Sequence, residues 1–325
     1  MTPDFTVQAD TQNITDTIKR HLISLRITDE AGWQSDSLEI RLDDPKSAMA
    51  LPRHGAELLV SLGYIKEGTV RMGTFTVDEV SVEGPPETLI IRARAANFRN
   101  SLKEQKTRAW EGVTLGDLVS TIASEHGLSP VISEALAAKV LIHIDQVDES
   151  DLHFLTRLSK DMGAISKPAE NRLLFVTRGE ARTASSKPMP EIPLHRSELT
   201  RYQFSLADRG KYAAVIAHWH NSETGQSTPV KVGETDTKPV FTLKGLHPDA
   251  SAAESAATAK LQALRRGQAT GSLTVPGRAD LMAETLLQIS GIKPTIDGDW
   301  IITRAEHELG SQGYITRLSV ESPTK

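Results

Sequence analysis

Residues 57–64 and 285–292 carry one pattern twice in a single chain. The first copy reads Glu57-Leu58-Leu59-Val60-Ser61-Leu62-Gly63-Tyr64 and the second Thr285-Leu286-Leu287-Gln288-Ile289-Ser290-Gly291-Ile292, about 228 residues apart. Leu58 and Leu59 match Leu286 and Leu287, and Gly63 matches Gly291. A Gly-x-aromatic step then opens a strand in each copy, Gly73-Thr74-Phe75 in one and Gly298-Asp299-Trp300 in the other. Both strands return through a glycine-containing turn, as residues 88–95 and 314–321. A repeated β-unit is first of all a symmetry device, because a closed oligomer of n chains then presents 2n similar modules.

The first hundred residues support the β assignment. Ile23, Leu25 and Ile27 alternate with polar residues, as do Leu38, Ile40 and Leu42, then Leu58, Val60, Leu62 and Tyr64. This is the period of half-buried antiparallel strands, and it continues through 69–82 and 89–95. Pro85-Pro86 fits only the connection between them. Five or six such strands need closure or a second layer, so a small barrel is expected.

Between 97 and 180 the period changes to that of helices. Thr114 and Asp117 form a capping box ahead of Leu115, Leu118, Val119, Ile122 and Ala123, with Gly127 as the stop. A second helix is expected to open at Asp148 and to place Leu152, Leu155, Leu158 and Met162 on one stripe. Proline, serine and mixed charge mark a linker at 181–198. Strand signals return at 202–206, 213–220, 229–232 and 240–243. They are followed by an alanine-rich helix over about 249–267, capped by Ser251 with Glu254 and stopped by Gly267. The expected domains are a first β-barrel (1–100), an α/β middle domain (101–180), the linker, and a second β-barrel with an inserted helix (199–325). The fold class is mainly β with an α/β insertion.

Composition narrows the function. Hydrophobic residues at 38% and charged residues at 24% describe a globular chain, and no apolar run approaches the roughly 20 residues of a membrane span. The N-terminus has neither the basic nor the apolar stretch of a secretory signal. Cysteine is absent, which removes disulfides and thiolate metal sites. A net charge of −5 disfavours nucleic acid as the main ligand. His218 and His220 share a strand face at a spacing metals use, but no third ligand is nearby and a solvated strand face explains them. Asp145, Asp148, Glu149 and Asp151 lack the glycine of a calcium loop and suit the first turn of a helix. Lys103, Lys106 and Arg108 beside Trp110 suggest a phosphate patch, with Glu104 and Glu111 cancelling much of its charge. No nucleotide, nucleophile-elbow or zinc-protease motif occurs, so no catalytic residue, metal or cofactor is expected.

Two stretches carry a family resemblance. One is Arg108-Ala109-Trp110-Glu111-Gly112-Val113-Thr114-Leu115-Gly116-Asp117-Leu118-Val119. The other runs from Gln146 to Leu158, in which Gln146, Glu149, Ser150, Asp151, Phe154, Leu155, Arg157 and Leu158 match the family pattern. Val275-Pro276-Gly277 and Asp297-Gly298-Asp299-Trp300 match as well. Over nearly its whole length the chain resembles the late control gene D family, the baseplate hub proteins of contractile phage tails and of phage-tail-like bacteriocins of the R-type pyocin kind.

The resemblance implies a structural, non-enzymatic role. Two similar barrels per chain, in a homotrimer, would form a pseudo-sixfold ring between a hexameric tail tube protein and a trimeric tail spike. Baseplate wedge and tape measure proteins would be further neighbours, with no specific nucleic-acid or membrane binding. The expected location is the baseplate of a virion or tail-like particle, assembled in the bacterial cytoplasm. The rival readings are a cell-wall hydrolase at the tail tip, which needs a paired-carboxylate cleft, and the hub portion of a spike of the type VI secretion kind.

Overall fold

The period-2 runs of the first hundred residues all become strands, and each sends its apolar face to one core. The computed structural model describes residues 1–31, 36–45, 49–95, 102, 104–169, 172–177, 191–206, 212–221, 225–234, 239–266 and 269–323. Its first elements are β1 (Pro3–Ala9), β2 (Gln12–Asn13), α1 (Thr15–His21), β3 (Leu22–Glu30), β4 (Ser37–Asp43), β5 (Glu57–Tyr64), β6 (Gly68–Glu83) and β7 (Thr88–Ala95). Leu25, Ile27, Leu38, Ile40, Leu58, Val60, Phe75, Val77, Leu89 and Ile91 meet in a single buried cluster. Phe5 and Val7 of β1 and Ile18 of α1 join it, from two elements the alternation had not marked.

The helical stretch follows as β8 (Gln105–Thr114), α2 (Leu115–Glu125), β9 (Ser129–Ile132), α3 (Glu134–Ala137), β10 (Val140–Ser150), α4 (Asp151–Asp161), β11 (Ala164–Ala169) and β12 (Arg172–Thr177). Thr114 caps α2 as expected, its hydroxyl accepting from the Asp117 amide, and Gly127 leaves the helix at φ +62°. The second helix begins later than the sequence suggests. Ser150 is its N-cap, accepting from the His153 amide, and Asp148 lies within β10 at φ +47°. Aspartate tolerates that left-handed position, so its appearance before a helix did not mark the cap. Phe154, Leu155 and Leu158 of α4 pack with Leu115, Leu118, Val119, Ile122, Leu173 and Phe175 in a second core.

The last third contains β13 (Ile192–His195), a 3-10 turn (Arg196–Glu198), β14 (Arg201–Leu206), β15 (Ala214–Asn221), β16 (Gln226–Gly233), β17 (Val240–His247), α5 (Ala250–Arg266), β18 (Ala269–Pro276), β19 (Leu286–Ser290), β20 (Gly298–Gly310) and β21 (Gly313–Glu321). Residues 181–190 of the expected linker, like Lys103 and Gly267, lie outside the described residues. The end of that linker is a strand: β13 pairs in parallel with β19 and buries Ile192 and Leu194. Helix α5 is capped by Asp249, whose carboxylate accepts from the Ala252 amide at 2.8 Å, two residues before the expected Ser251.

The chain divides differently from the domains expected. One compact unit is Met1–Phe98, Glu191–Gln203 and Ser272–Val320; the other is Arg99–Pro190, Phe204–Gly271 and Glu321–Lys325. Strands β15, β16 and β17 form a sheet of their own. Val215 and Ala217 of that sheet pack against Ala253, Ala257 and Leu261 of α5. A three-stranded sheet covered by one helix is a complete two-layer element, so it needs no place in a barrel. It is an insertion between β14 and β18.

Removing that insertion exposes the order of the large sheet. Its first half runs β3-β4-β7-β6-β5-β1 and its second β14-β18-β21-β20-β19-β13. Leaving aside the two-residue β2, which extends the first half beyond β1, and numbering by sequence within each half, the two orders are identical. One difference is that β1 meets β5 antiparallel whereas β13 meets β19 in parallel. The halves join where β20 pairs antiparallel with β3, from Arg304↔Glu30 to Gly310↔Ser24.

Candidate functional site

The residues of the sequence repeat sit on corresponding strands, displaced by one position from the alignment that revealed them. Leu58 lies opposite Phe75 and Val60 opposite Gly73; Leu287 lies opposite Trp300 and Ile289 opposite Gly298. The corresponding inward residues are thus Leu58 with Leu287, not with Leu286. Leu59 and Leu286 are the half-buried neighbours on the other face. A one-residue slip moves every side chain to the opposite face, which is why the register matters. Gly73 and Gly298 both have positive φ, +155° and +133°.

Gly63 and Gly291 do not correspond. Gly63 lies within β5, where a Cβ would collide with the Gly68 carbonyl, while Gly291 sits past β19 at φ +82°. Asp297 closes that second turn by accepting from the amides of Gly291, Ile292 and Lys293, and Trp300 Nε1 donates to the Ile296 carbonyl at 2.8 Å.

A deeper correspondence has no counterpart in the residue letters. The Val77 amide donates to the Ala56 carbonyl and the Gly55 amide to the Val77 carbonyl; Ile302 makes the same pair of bonds with Thr285 and Glu284. Gly55 and Glu284 both occupy the left-handed region, at φ +80° and +66°. Backbone geometry is the same at the two places, and only the first uses the residue that adopts it freely.

The second motif resolves into a buried ionic cluster. Asp151, fully buried at the start of α4, accepts from Lys106 Nζ (2.6 Å), Arg108 (2.7 Å) and Gln146 Nε2 (2.8 Å), and its other neighbour is His126 Nε2 at 2.8 Å. Glu125 takes a second bond from both Lys106 and Arg108. Gln146 also accepts from Arg108 Nε and donates to the Glu149 carbonyl. Arg157 clamps the Glu149 carboxylate at 2.8 Å. Arg108 lies over Trp110, Trp110 stacks on Phe154, and Arg157 covers Phe154.

Burial alone would raise the Asp151 carboxyl, but the bonds from Lys106, His126 and Gln146 and the charge of Arg108 hold it below its ordinary value. Gln146, Glu149, Asp151 and Arg157 therefore fasten the β8–β10 ribbon to α4; Phe154, Leu155 and Leu158 supply the core, and Ser150 the cap. Lys106 and Arg108 are not a phosphate patch. Their charge is neutralised by Glu125 and Asp151, not by Glu104 and Glu111, and only the fold brings those partners near.

Among the described residues the other candidates do not come together in one site. Among the described residues, Glu125, His126 and Asp151 form the one group with metal-type donor atoms within 4.8 Å of each other. Lys106 and Arg108 already lie there, and their charges oppose a further cation. Neither carboxylate nor imidazole joins His218 and His220 closely enough to make a third ligand among those residues. The acidic run does not converge: Asp145 faces His143, Asp148 meets Thr107, Glu149 meets Arg157, and Asp151 is buried.

A shallow depression of about 250 Å³ lies over β3, β4, β7 and β6, lined by Arg26, Arg92 and Arg94 with Glu39, Asp78 and Glu79. Arg92 bonds both Glu39 (3.0 Å) and Glu79 (2.6 Å), and Arg94 pairs with Asp78. Glu39, Asp78 and Glu79 in this depression are thus each paired with an arginine.

Comparison with known proteins agrees with this architecture. Residues 39–313 match the family described as phage tail baseplate hub (GPD). A probable baseplate hub protein of Escherichia phage 186 is 35% identical over 364 aligned positions, covering 99% of this chain and 93% of that protein. The 43 kDa tail protein of prophage MuSo2 from Shewanella oneidensis shares the fold at TM-score 0.72 and 14% identity, over 98% of each chain. An E. coli component of the type VI secretion system, described as structurally similar to T4 bacteriophage tail proteins, shares it at TM-score 0.58 and 11% identity, over 98% of this chain and 76% of that one. By the family match over residues 39–313 and the 35% identity over nearly all of its length, the chain belongs to the phage tail baseplate hub family.

Proposed function

We propose that three copies of this chain close into a ring of six similar β modules, joining a hexameric tail tube on one side to a trimeric spike on the other. The observation that carries this reading is the strand order repeated within the large sheet. Two modules per chain turn threefold symmetry into approximate sixfold symmetry, so one ring can meet both neighbours. The two strand sets of the large sheet are the modules.

The role is structural and not enzymatic. Pairing of the carboxylates in the depression over β3, β4, β7 and β6 with arginine favours that reading over a cell-wall hydrolase. Wedge and tape measure proteins are the remaining neighbours in the baseplate. Light scattering on the purified chain, alone and with its candidate spike, tests the proposal. A mass near three times 35.4 kDa, or an equimolar complex of three hubs and three spike chains, is expected. A stable monomer that ignores the spike and degrades peptidoglycan would overturn it.

A further inference from the structure

The inserted sheet of β15, β16 and β17 has one face closed and one open. Val215, Ala217, Val230, Val232, Phe241 and Leu243 turn toward α5 and pack with its Ala253, Ala257 and Leu261. Alternation then puts Ile216, His218 and His220 of β15, Pro229 and Lys231 of β16, and Leu246 of β17 on the opposite face. His218 stands between Pro229 and Leu246 across the sheet, and Ile216 beside Lys231. Lys244 is exposed in the bulge of β17 next to them.

Charge on this sheet has one sign. None of its three strands contains an aspartate or glutamate. Lys231 and Lys244 are exposed, and neither they nor His218 and His220 make an ion pair or hydrogen bond with a described residue. On the large sheet, by contrast, Arg26, Arg41, Arg92, Arg94, Arg304 and Arg317 each pair with a carboxylate. Apolar surface lies among the cations, with Leu246 60% exposed and Pro229 exposed on the other side of His218. The two edges do not invite a further strand: Pro229 removes an N–H from β16, and β17 is bulged, with Gly245 at φ +94°. A partner would meet this sheet by its face.

We infer that this face docks an acidic surface of another protein of the tail, with carboxylates meeting Lys231 and Lys244 and an apolar side chain meeting Leu246 and Pro229. Apolar groups between cations suit a protein interface, whose centre is dry and whose charges steer and register the partner. Two lysines on a chain of net charge −5 are too few to hold a nucleic-acid backbone. The inference rests on the chain being a tail component, not on the ring of six modules, so its failure leaves the ring reading untouched.

A carbodiimide joins an amine to a carboxylate only where the two touch. Applied to assembled tails and read by mass spectrometry, it is expected to link Lys231 or Lys244 to an aspartate or glutamate of a different protein, with the internal pair Lys19–Asp4 as the positive control. The double variant Lys231→Glu with Lys244→Glu should unfold in urea like the wild type, because both side chains are exposed. It should nevertheless enter tails about tenfold less, or worse, whereas Lys231→Arg with Lys244→Arg should enter normally. Lysines that couple to nothing, or only to a second copy of this chain, while Lys19 couples to Asp4 would overturn the inference. So would a Glu variant that enters tails as the wild type does. Binding of labelled duplex DNA or of phosphatidylglycerol vesicles by the purified chain, lost in the Glu variant, would overturn it as well, by assigning the face to phosphate.

Discussion

Gly277 has no side chain because the ring of Tyr314 occupies the space where a Cβ would go. Its amide donates to the Tyr314 carbonyl, and its own carbonyl accepts from the Tyr64 hydroxyl at 2.9 Å. One residue of the Val-Pro-Gly motif thus ties a tyrosine from each half of the sheet. Gly63 is constrained by backbone instead, so Gly63→Ala should cost about 3 kcal/mol in chemical denaturation, since a main-chain carbonyl cannot rotate aside. Asp151→Ala should cost about 3 kcal/mol as well, because it leaves Lys106 and Arg108 without their buried partner.

His307 is buried with Nδ1 at 3.1 Å from both the Tyr314 and Thr316 hydroxyls, and burial pushes its imidazole down from 6.5 to about 4. The folded chain therefore refuses a proton that the unfolded chain accepts. The stability this neutral ring contributes is complete above about pH 6.5 and declines as pH falls toward 4, by about 2 kcal/mol between pH 7 and pH 5. Urea titrations at those two pH values should show His307→Gln losing about that much less than the wild type. None of these roles was legible in the residue letters. Lys106 and Arg108 could be seen only against Glu104 and Glu111, their neighbours in sequence, and Gly63 and Gly291 matched as letters while doing different work.

At the scale of elements, alternation found the strands whose one face is core and missed those with a different reason to exist. β3, β4, β5, β6, β7 and β14 stand where the pattern put them. β8 and β10 were not seen, because the inward face of that ribbon includes Lys106, Arg108, Gln146 and Glu149 and hides the apolar period. β13 was hidden by Pro193 and the polar residues before it. Helix caps followed chemistry where one candidate stood alone, as at Thr114, and slipped by two residues where several acids and serines competed, at Ser150 and Asp249. The turn before β5 offers a test at this scale. Gly55 has open space around its Cβ position but φ of +80°, so Gly55→Ala should cost about 1 kcal/mol through backbone conformation alone. A change near zero would show that this left-handed residue is not needed to start the module.

For the whole molecule, the short repeat was enough to expect a duplication but not to delimit it. The second module could not be read as a block, because β15, β16, β17 and α5 interrupt it and form a core of their own. Their strand signals look like those of the sheet they divide, and only packing separates them. What remains after removing the insertion is a pair of six-stranded sets in one order. The central claim is that three chains supply six modules, and end-on electron microscopy of the purified hub tests it most directly. Six similar lobes around a threefold axis, in a particle of about three chain masses, are the expected result. A ring of six chains, or three lobes of one kind, would contradict it.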